Sequence, residues 1–417
     1  MPPCAALPNR RTGYLRHPTH HVRGLVSIGS CLAVQHSSTV LPTTDRPTTD
    51  GPATDRAAGA PLIVRKFVID KTPVFIDPSL AVIDVEQGEA GDQSVLQAQT
   101  TANGSLVYYA TMVNDVYAYF MTGVKKGAFT TTTPNEFPTT AADLNNIVAF
   151  AKANGKPSPP FPDPHALAVE VKTAWVVAAG LPNLASYITT TVTIPTYDQS
   201  NPDLWTPTGQ QTVQLALVGM HVVGSTFQNP EMVWATFEHV GNSPLATYSY
   251  TSTSGLKTIA QNTVGNWLFA TNGSTGPFNV PHMSFTGPGG TPGNSIQSEP
   301  SFTISPSDTL RTRPFGLPAG ETITVTEVIS ANDNVLNKLV NGDIRKNYTM
   351  TGATWTAFGT NPGPQNLGVG THQLSNTTME TYVQGSNCFS CHQNSNPALT
   401  VPTTDISHIF AGLQPLF

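Results

Sequence analysis

Short apolar stretches bounded by Thr, Pro, Gly and Asn recur along this chain, and where apolar and polar positions alternate they mark half-buried strands. Val169, Val171, Thr173 and Trp175 fall on one side of an extended segment from Ala166 to Ala178. Ile188 to Ile194 reads as a Thr/Val-rich strand stopped by Pro195, and Val213 to Gly224 and Met232 to Val240 read as two stronger strands. Leu62 to Asp70, Phe302 to Ile304 and Ile323 to Ile329 add shorter ones. Helical spacing is clearest from Ala141 to Ala153, where Leu144, Ile147, Val148, Phe150 and Ala151 form the apolar side. Thr140 is its N-cap, Asp143 lies in its first turn and Gly155 ends it. Val113 to Gly123, Asn332 to Val340 and Ser375 to Gln384 are further predicted helices. The Gly-, Ser-, Asn- and Pro-rich block from Thr251 to Pro300 predicts a long loop. The expected fold class is α+β: mainly antiparallel strands, several helices and a C-terminal helical segment.

Composition narrows the partners. The 417 residues are 39% hydrophobic, enough for a substantial core. Only 11% are charged, and the net charge of −6 offers no attraction to nucleic acid or an anionic membrane. No stretch reaches the roughly 18 apolar residues of a membrane span.

The start of the chain carries Arg10, Arg11, Arg16 and Arg23, followed by a short apolar run from Gly24 to Val34. This is a weak match to an export signal. Ile28-Gly29-Ser30-Cys31 is a partial match to a lipoprotein cleavage box, which would anchor lipid at Cys31, and Arg10-Arg11 is a partial match to a twin-arginine signal. Pro-Thr-Thr-Asp at 42–45 recurs at 47–50, so residues 35–60 read as a linker. The expected organisation is a degenerate export segment and linker over 1–60 and one globular domain over 61–417.

One motif carries chemistry: Cys388-Phe389-Ser390-Cys391-His392. C-x-x-C-H is the attachment pattern of a c-type haem. Two thiols three residues apart share one side of a helical turn and can add to the two porphyrin vinyl groups; the next residue offers an imidazole to the iron. The motif predicts one covalent haem c, with thioethers from Cys388 and Cys391 and His392 as axial ligand. The same C-x-x-C is also half of a zinc site that His392 and His408 could complete, or a redox dithiol; Cys4 and Cys31 are the only other thiols. Only 25 residues follow His392, so the preceding chain must cover the haem. The attachment segment is expected over 371–417. Attachment of haem to C-x-x-C-H takes place outside the cytoplasm, which predicts a periplasmic or other extracytoplasmic location.

Candidates for a sixth iron ligand are His221, His239 and His408, with Met350 and Met379 as thioether alternatives. His221 interrupts an apolar strand, and Glu238-His239 closes an aromatic one. Buried polar groups of this kind need partners. An open sixth position would let Glu238 or His239 act as a distal acid or base. Trp234 and Phe237 read as core more than as haem wall.

Several segments resemble a family of uncharacterised bacterial cytochrome c-like proteins. They are Val169 to Trp175, Gly219 to Val223, Glu231 to Asn242, and Leu374 to Thr381 followed by Cys388 to His392. The resemblance covers about residue 165 to the end. It implies a single C-terminal haem and an extracytoplasmic location, and no assigned reaction. The resemblance also implies an aromatic residue in many relatives at the place of His408. Three functions fit: electron transfer with a redox partner protein, a haem enzyme or sensor with an open coordination site, and a structural or binding protein stabilised by haem or zinc. The chain has no nucleophile elbow, P-loop, dinucleotide fingerprint or H-E-x-x-H.

Overall fold

A computed structural model of the chain describes residues 65–66, 90, 94–129, 136–156, 167–286, 295–316, 322–363, 368–371, 374, 376–385, 387–394, 401–410 and 413–417. The export segment and linker expected over 1–60, with Cys4, Cys31 and the paired arginines, lie outside these residues. Of the strand expected over Leu62–Asp70, only β1 (Arg65–Lys66) is described.

The expected α+β class is what forms. The strands are β1, β2 (Tyr108–Val113), β3 (Val169–Val177), β4 (Thr189–Asp198), β5 (Leu204–Thr226), β6 (Asn229–His239), β7 (Tyr248–Ser252), β8 (Gly255–Ile259), β9 (Met283–Phe285), β10 (Ile296–Ser298), β11 (Tyr348–Thr356) and β12 (Gly368–Gly370). The main sheet runs β1-β2-β3-β5-β6-β11-β12, with β4 and β10 also on β5 and β9 on β10; β7 and β8 form a separate hairpin. All these pairs are antiparallel. The 23-residue β5 joins the parts: residues 219–224 lie between β3 and β6, while residues 206–216 pair with β4.

Four α-helices are described: α1 (Asp115–Lys125), α2 (Ala141–Ala153), α3 (Ile323–Leu336) and the single turn α4 (Cys388–Cys391). α2 has the bounds and the cap that its spacing predicts, Thr140 and Asp143 closing a reciprocal capping box. Asn114 caps α1, accepting from the Tyr117 N–H at 2.9 Å.

Five expectations are corrected. Ile323 to Ile329 is the start of α3 and not a strand. Its β-branched residues favour a strand locally, but Val325 and Val328 are three apart and pack on Ala235, Met350 and Ala353, and this packing decides. Asn332, in the expected Asn332–Val340 helix, lies in the second half of α3 and locks it to β11, exchanging hydrogen bonds of 2.8 Å with the Met350 backbone. Pro195 does not stop β4, which continues on the sheet edge, where a missing N–H is tolerated. Phe302 to Ile304 forms no strand, and the expected loop from Thr251 to Pro300 contains β8, β9 and β10. The described residues of Ser375–Gln384 form turns instead of a helix, because their Asn and Thr side chains bind backbone and sheet groups.

The two faces of the sheet are covered differently. On one face lie α1, α2 and the C-terminal chain, which share a core with Val113, Val223 and Trp234. On the other lie α3, against Ala235, Met350 and Ala353, and the β4/β9/β10 region, against Trp175, Leu215 and Leu217. Gly219 and Gly352 let the C-terminal chain approach the first face: a Cβ on Gly219 would run into Thr378, and one on Gly352 into Thr371 and Leu374. Among the described residues no helix is long and apolar enough to cross a membrane.

Candidate functional site

Alternation along the central strands places Glu170 and Lys172 of β3, Gly219, His221 and Val223 of β5, and Trp234, Thr236 and Glu238 of β6 on the face that the C-terminal chain crosses. Lys172 stands opposite His221, and His221 opposite Thr236.

Residues 376–381 are pinned here. Asn376 donates to Thr236 Oγ1 at 3.0 Å and to the Phe237 carbonyl at 3.1 Å. Thr377 gives both its N–H and its hydroxyl to Glu238, and Arg311 meets the same buried carboxylate. Burial pulls the Arg311 guanidinium below its ordinary value. Tyr109 donates to the Thr378 carbonyl at 2.5 Å, and Glu380 meets His221 Nε2 at 2.6 Å. The stretches Val169–Trp175, Gly219–Val223, Glu231–Asn242 and Leu374–Thr381, far apart in sequence, thus meet on one surface.

The motif follows. Asn387 caps α4 by accepting from the Phe389 N–H at 2.8 Å, and the His392 N–H closes the turn on the Cys388 carbonyl at 2.8 Å. Phe389 is buried against Trp234, which anchors the turn to the sheet. Cys388 is half-buried and Cys391 exposed, both as free thiols. Burial, and then the nearby Glu380, push the Cys388 thiol above its ordinary value.

His392 is held on three sides. Trp234 lies 4.3 Å from it, centroid to centroid, and His408 stacks on it at 3.9 Å and 20°. Its Nδ1 is 2.9 Å from the Ile406 carbonyl, which can only accept, so Nδ1 carries the proton. Nε2 makes no hydrogen bond to a described residue. Burial and then His408 pull the imidazole down to about 3, so it is neutral, the form that binds metals.

The residues present fit a covalently held haem. The two thiols share one helical turn, and the next residue offers a neutral imidazole with a free Nε2 whose Nδ1–H is tied to a backbone carbonyl. That second bond is the usual orienting contact of a metal-binding histidine.

The other candidates are placed unequally. His221 is close enough to act on His392 but is paired with Glu380. His408 is exposed, and its ring stacks on that of His392 at 3.9 Å. His239 is on the opposite face, between Tyr187 at 3.9 Å and Tyr348 at 5.3 Å, and burial pulls it down to about 4. Glu238 is held by Thr377 and Arg311, Met379 sits in the core with Tyr109 and Val218, and Met350 packs under α3. Among the described residues no three His, Cys, Asp or Glu side chains converge on one point as a metal cage.

Sequence reasoning missed Glu170, Ser407 and Tyr117. Ser407 donates to Glu170 at 2.6 Å and lies 2.9 Å from the Tyr117 hydroxyl. The available signal was the pair Glu170 and Lys172, charges at alternate positions of an otherwise apolar strand.

No protein-family model, curated protein or solved structure matches the chain.

Proposed function

We propose that the protein is an extracytoplasmic c-type haem protein that carries one haem through thioethers at Cys388 and Cys391, with His392 as axial ligand, and serves in electron transfer to or from a redox partner protein. The observation that carries this is the His392 imidazole. It directly follows the C-x-x-C turn, is neutral and fixed by Ile406, and keeps Nε2 available. A haem bound here would supply a one-electron couple whose potential depends on ligation and burial. The chain supplies the rest: Trp234 and Phe389 exclude water on the sheet side of the motif, and the pinned 376–381 segment fixes its entry to the sheet.

The test is a reduced-minus-oxidised absorption spectrum of protein exported from a host that matures c-type haem. A c-type spectrum, lost in Cys388→Ser/Cys391→Ser, supports the proposal. Protein that emerges without haem from a host that matures a control cytochrome contradicts it.

A further inference from the structure

The turn that orients His392 is braced from behind by a buried acid. Ile406 accepts from His392 Nδ1. The next residue, Ser407, is buried; it donates to Glu170 Oε2 and receives the hydroxyl of the fully buried Tyr117. A continuous path of bonded groups therefore runs from Glu170 through Ser407 and the Ile406 peptide to the imidazole. The Glu170 residue keeps some solvent exposure at the sheet surface, while its carboxyl end is enclosed.

We propose that Glu170 is a redox-linked proton acceptor: it takes up a proton when the haem at His392 is reduced and releases it on oxidation, coupling electron transfer to proton transfer. This inference rests on the haem reading of the site. A haem held at His392 would supply the one-electron couple, reduced by a protein electron donor; the electron it gained would be matched by one proton from solvent that forms an O–H bond on the Glu170 carboxylate. No covalent bond of the protein breaks. The driving force is electrostatic, because a site that loses one positive charge favours the neutral acid.

Burial pushes the carboxyl up to about 7, against the opposing effects of Ser407, Lys172 and His221, so its protonation is balanced near neutrality. The titratable groups facing it are Tyr117 of α1, Lys172 of β3 and His221 of β5. Tyr117 is itself held well above its ordinary value by burial and by Glu170, so Glu170 is the member of the chain that exchanges a proton near neutrality.

The experiment is a spectroelectrochemical titration of haem-loaded protein from acid to alkaline pH, with haem content measured on the same sample. In the wild type the midpoint potential falls as pH rises across neutrality, with a limiting slope of about 59 mV per tenfold change in proton activity. Glu170→Gln abolishes that slope. Ser407→Ala, which removes a hydrogen bond that favours the carboxylate, moves the sloping window to higher pH. A flat wild type, or a slope that survives in Glu170→Gln, overturns the inference while leaving the haem reading intact. A chain that binds no haem overturns both.

Discussion

The carbonyl of Ile406 stands 2.9 Å from Nδ1 of His392, and that contact decides which nitrogen of the imidazole is available to a metal. A carbonyl has no proton to give, so Nδ1 is the donor and Nε2 has the free lone pair. Two parts of the chain cooperate: the short turn at 404–408 sets the tautomer, and the C-x-x-C turn sets the distance from the thiols.

For the proposed haem, the placement of the histidines bears on which of them could serve as a second ligand. His408 is beside His392 and His239 is on the far face of the sheet. His408→Ala and His239→Ala are each expected to leave the spin state of the ferric haem unchanged in absorption and electron paramagnetic resonance spectra. A switch from low to high spin in either variant identifies that residue as a ligand and contradicts this arrangement.

Gly219 lies at a close approach of sheet and C-terminal chain, and a methyl group there meets Thr378 and Asn376. Gly219→Ala is expected to cost ~1–3 kcal/mol, the usual range for overpacking a tight contact. Urea unfolding measures it. Because the clash is in the segment that leads to α4, limited proteolysis is expected to cut the variant faster in 376–394 than elsewhere.

Arg311 and Glu238 form a buried ion pair, and Glu238 also takes two hydrogen bonds from Thr377. Arg311→Met leaves the carboxylate buried without its counter-charge and is expected to cost ~3–5 kcal/mol. The double variant Arg311→Met/Glu238→Gln is expected to recover much of that loss. Thermal unfolding of the three proteins checks the ordering; a double variant no better than the single one would show that the charge itself is not the cause.

His239 gives a pH dependence of definite sign. Burial lowers it to about 4 in the folded chain, below its ordinary value near 6.5. The folded state therefore binds fewer protons than the unfolded state between these values. Its contribution is complete above about pH 6.5 and is lost as pH falls through 4, ~3 kcal/mol in all. His239→Phe, which keeps the stack on Tyr187, is expected to lose stability less steeply than the wild type over that window. Parallel stability curves for the two proteins would contradict the assignment.

Much of the sheet was legible because its central strands are apolar runs bounded by polar or turn residues: Leu215 to Met220 and Met232 to Thr236 are covered on both faces, and in Val169 to Val177 the period shows only in Val169, Thr173 and Trp175. α2 was legible to the residue because Thr140 and Asp143 signal its start locally. Ile323 to Ile329 was misread because its β-branched run favours a strand, and only the position of Val325 and Val328 over β11 makes it helical. Ser375 to Gln384 was misread because Asn376, Thr377 and Thr378 act through partners more than a hundred residues away. The proposed site starts from Cys388, Cys391 and His392, a local pattern visible in the sequence. Its supports are not visible there, since Ile406, Ser407, Glu170 and Trp234 come from three other parts of the chain.

The proposed haem is held by covalent bonds at Cys388 and Cys391 and ligated by His392. The most direct test is a pyridine haemochrome assay on exported protein after acid–acetone extraction, with Cys388→Ser/Cys391→Ser and His392→Ala alongside. A c-type haemochrome, one haem per chain, is expected to stay with the wild-type polypeptide and to be absent from the double cysteine variant. Haem that is wholly extracted, or a chain that carries none, would contradict it.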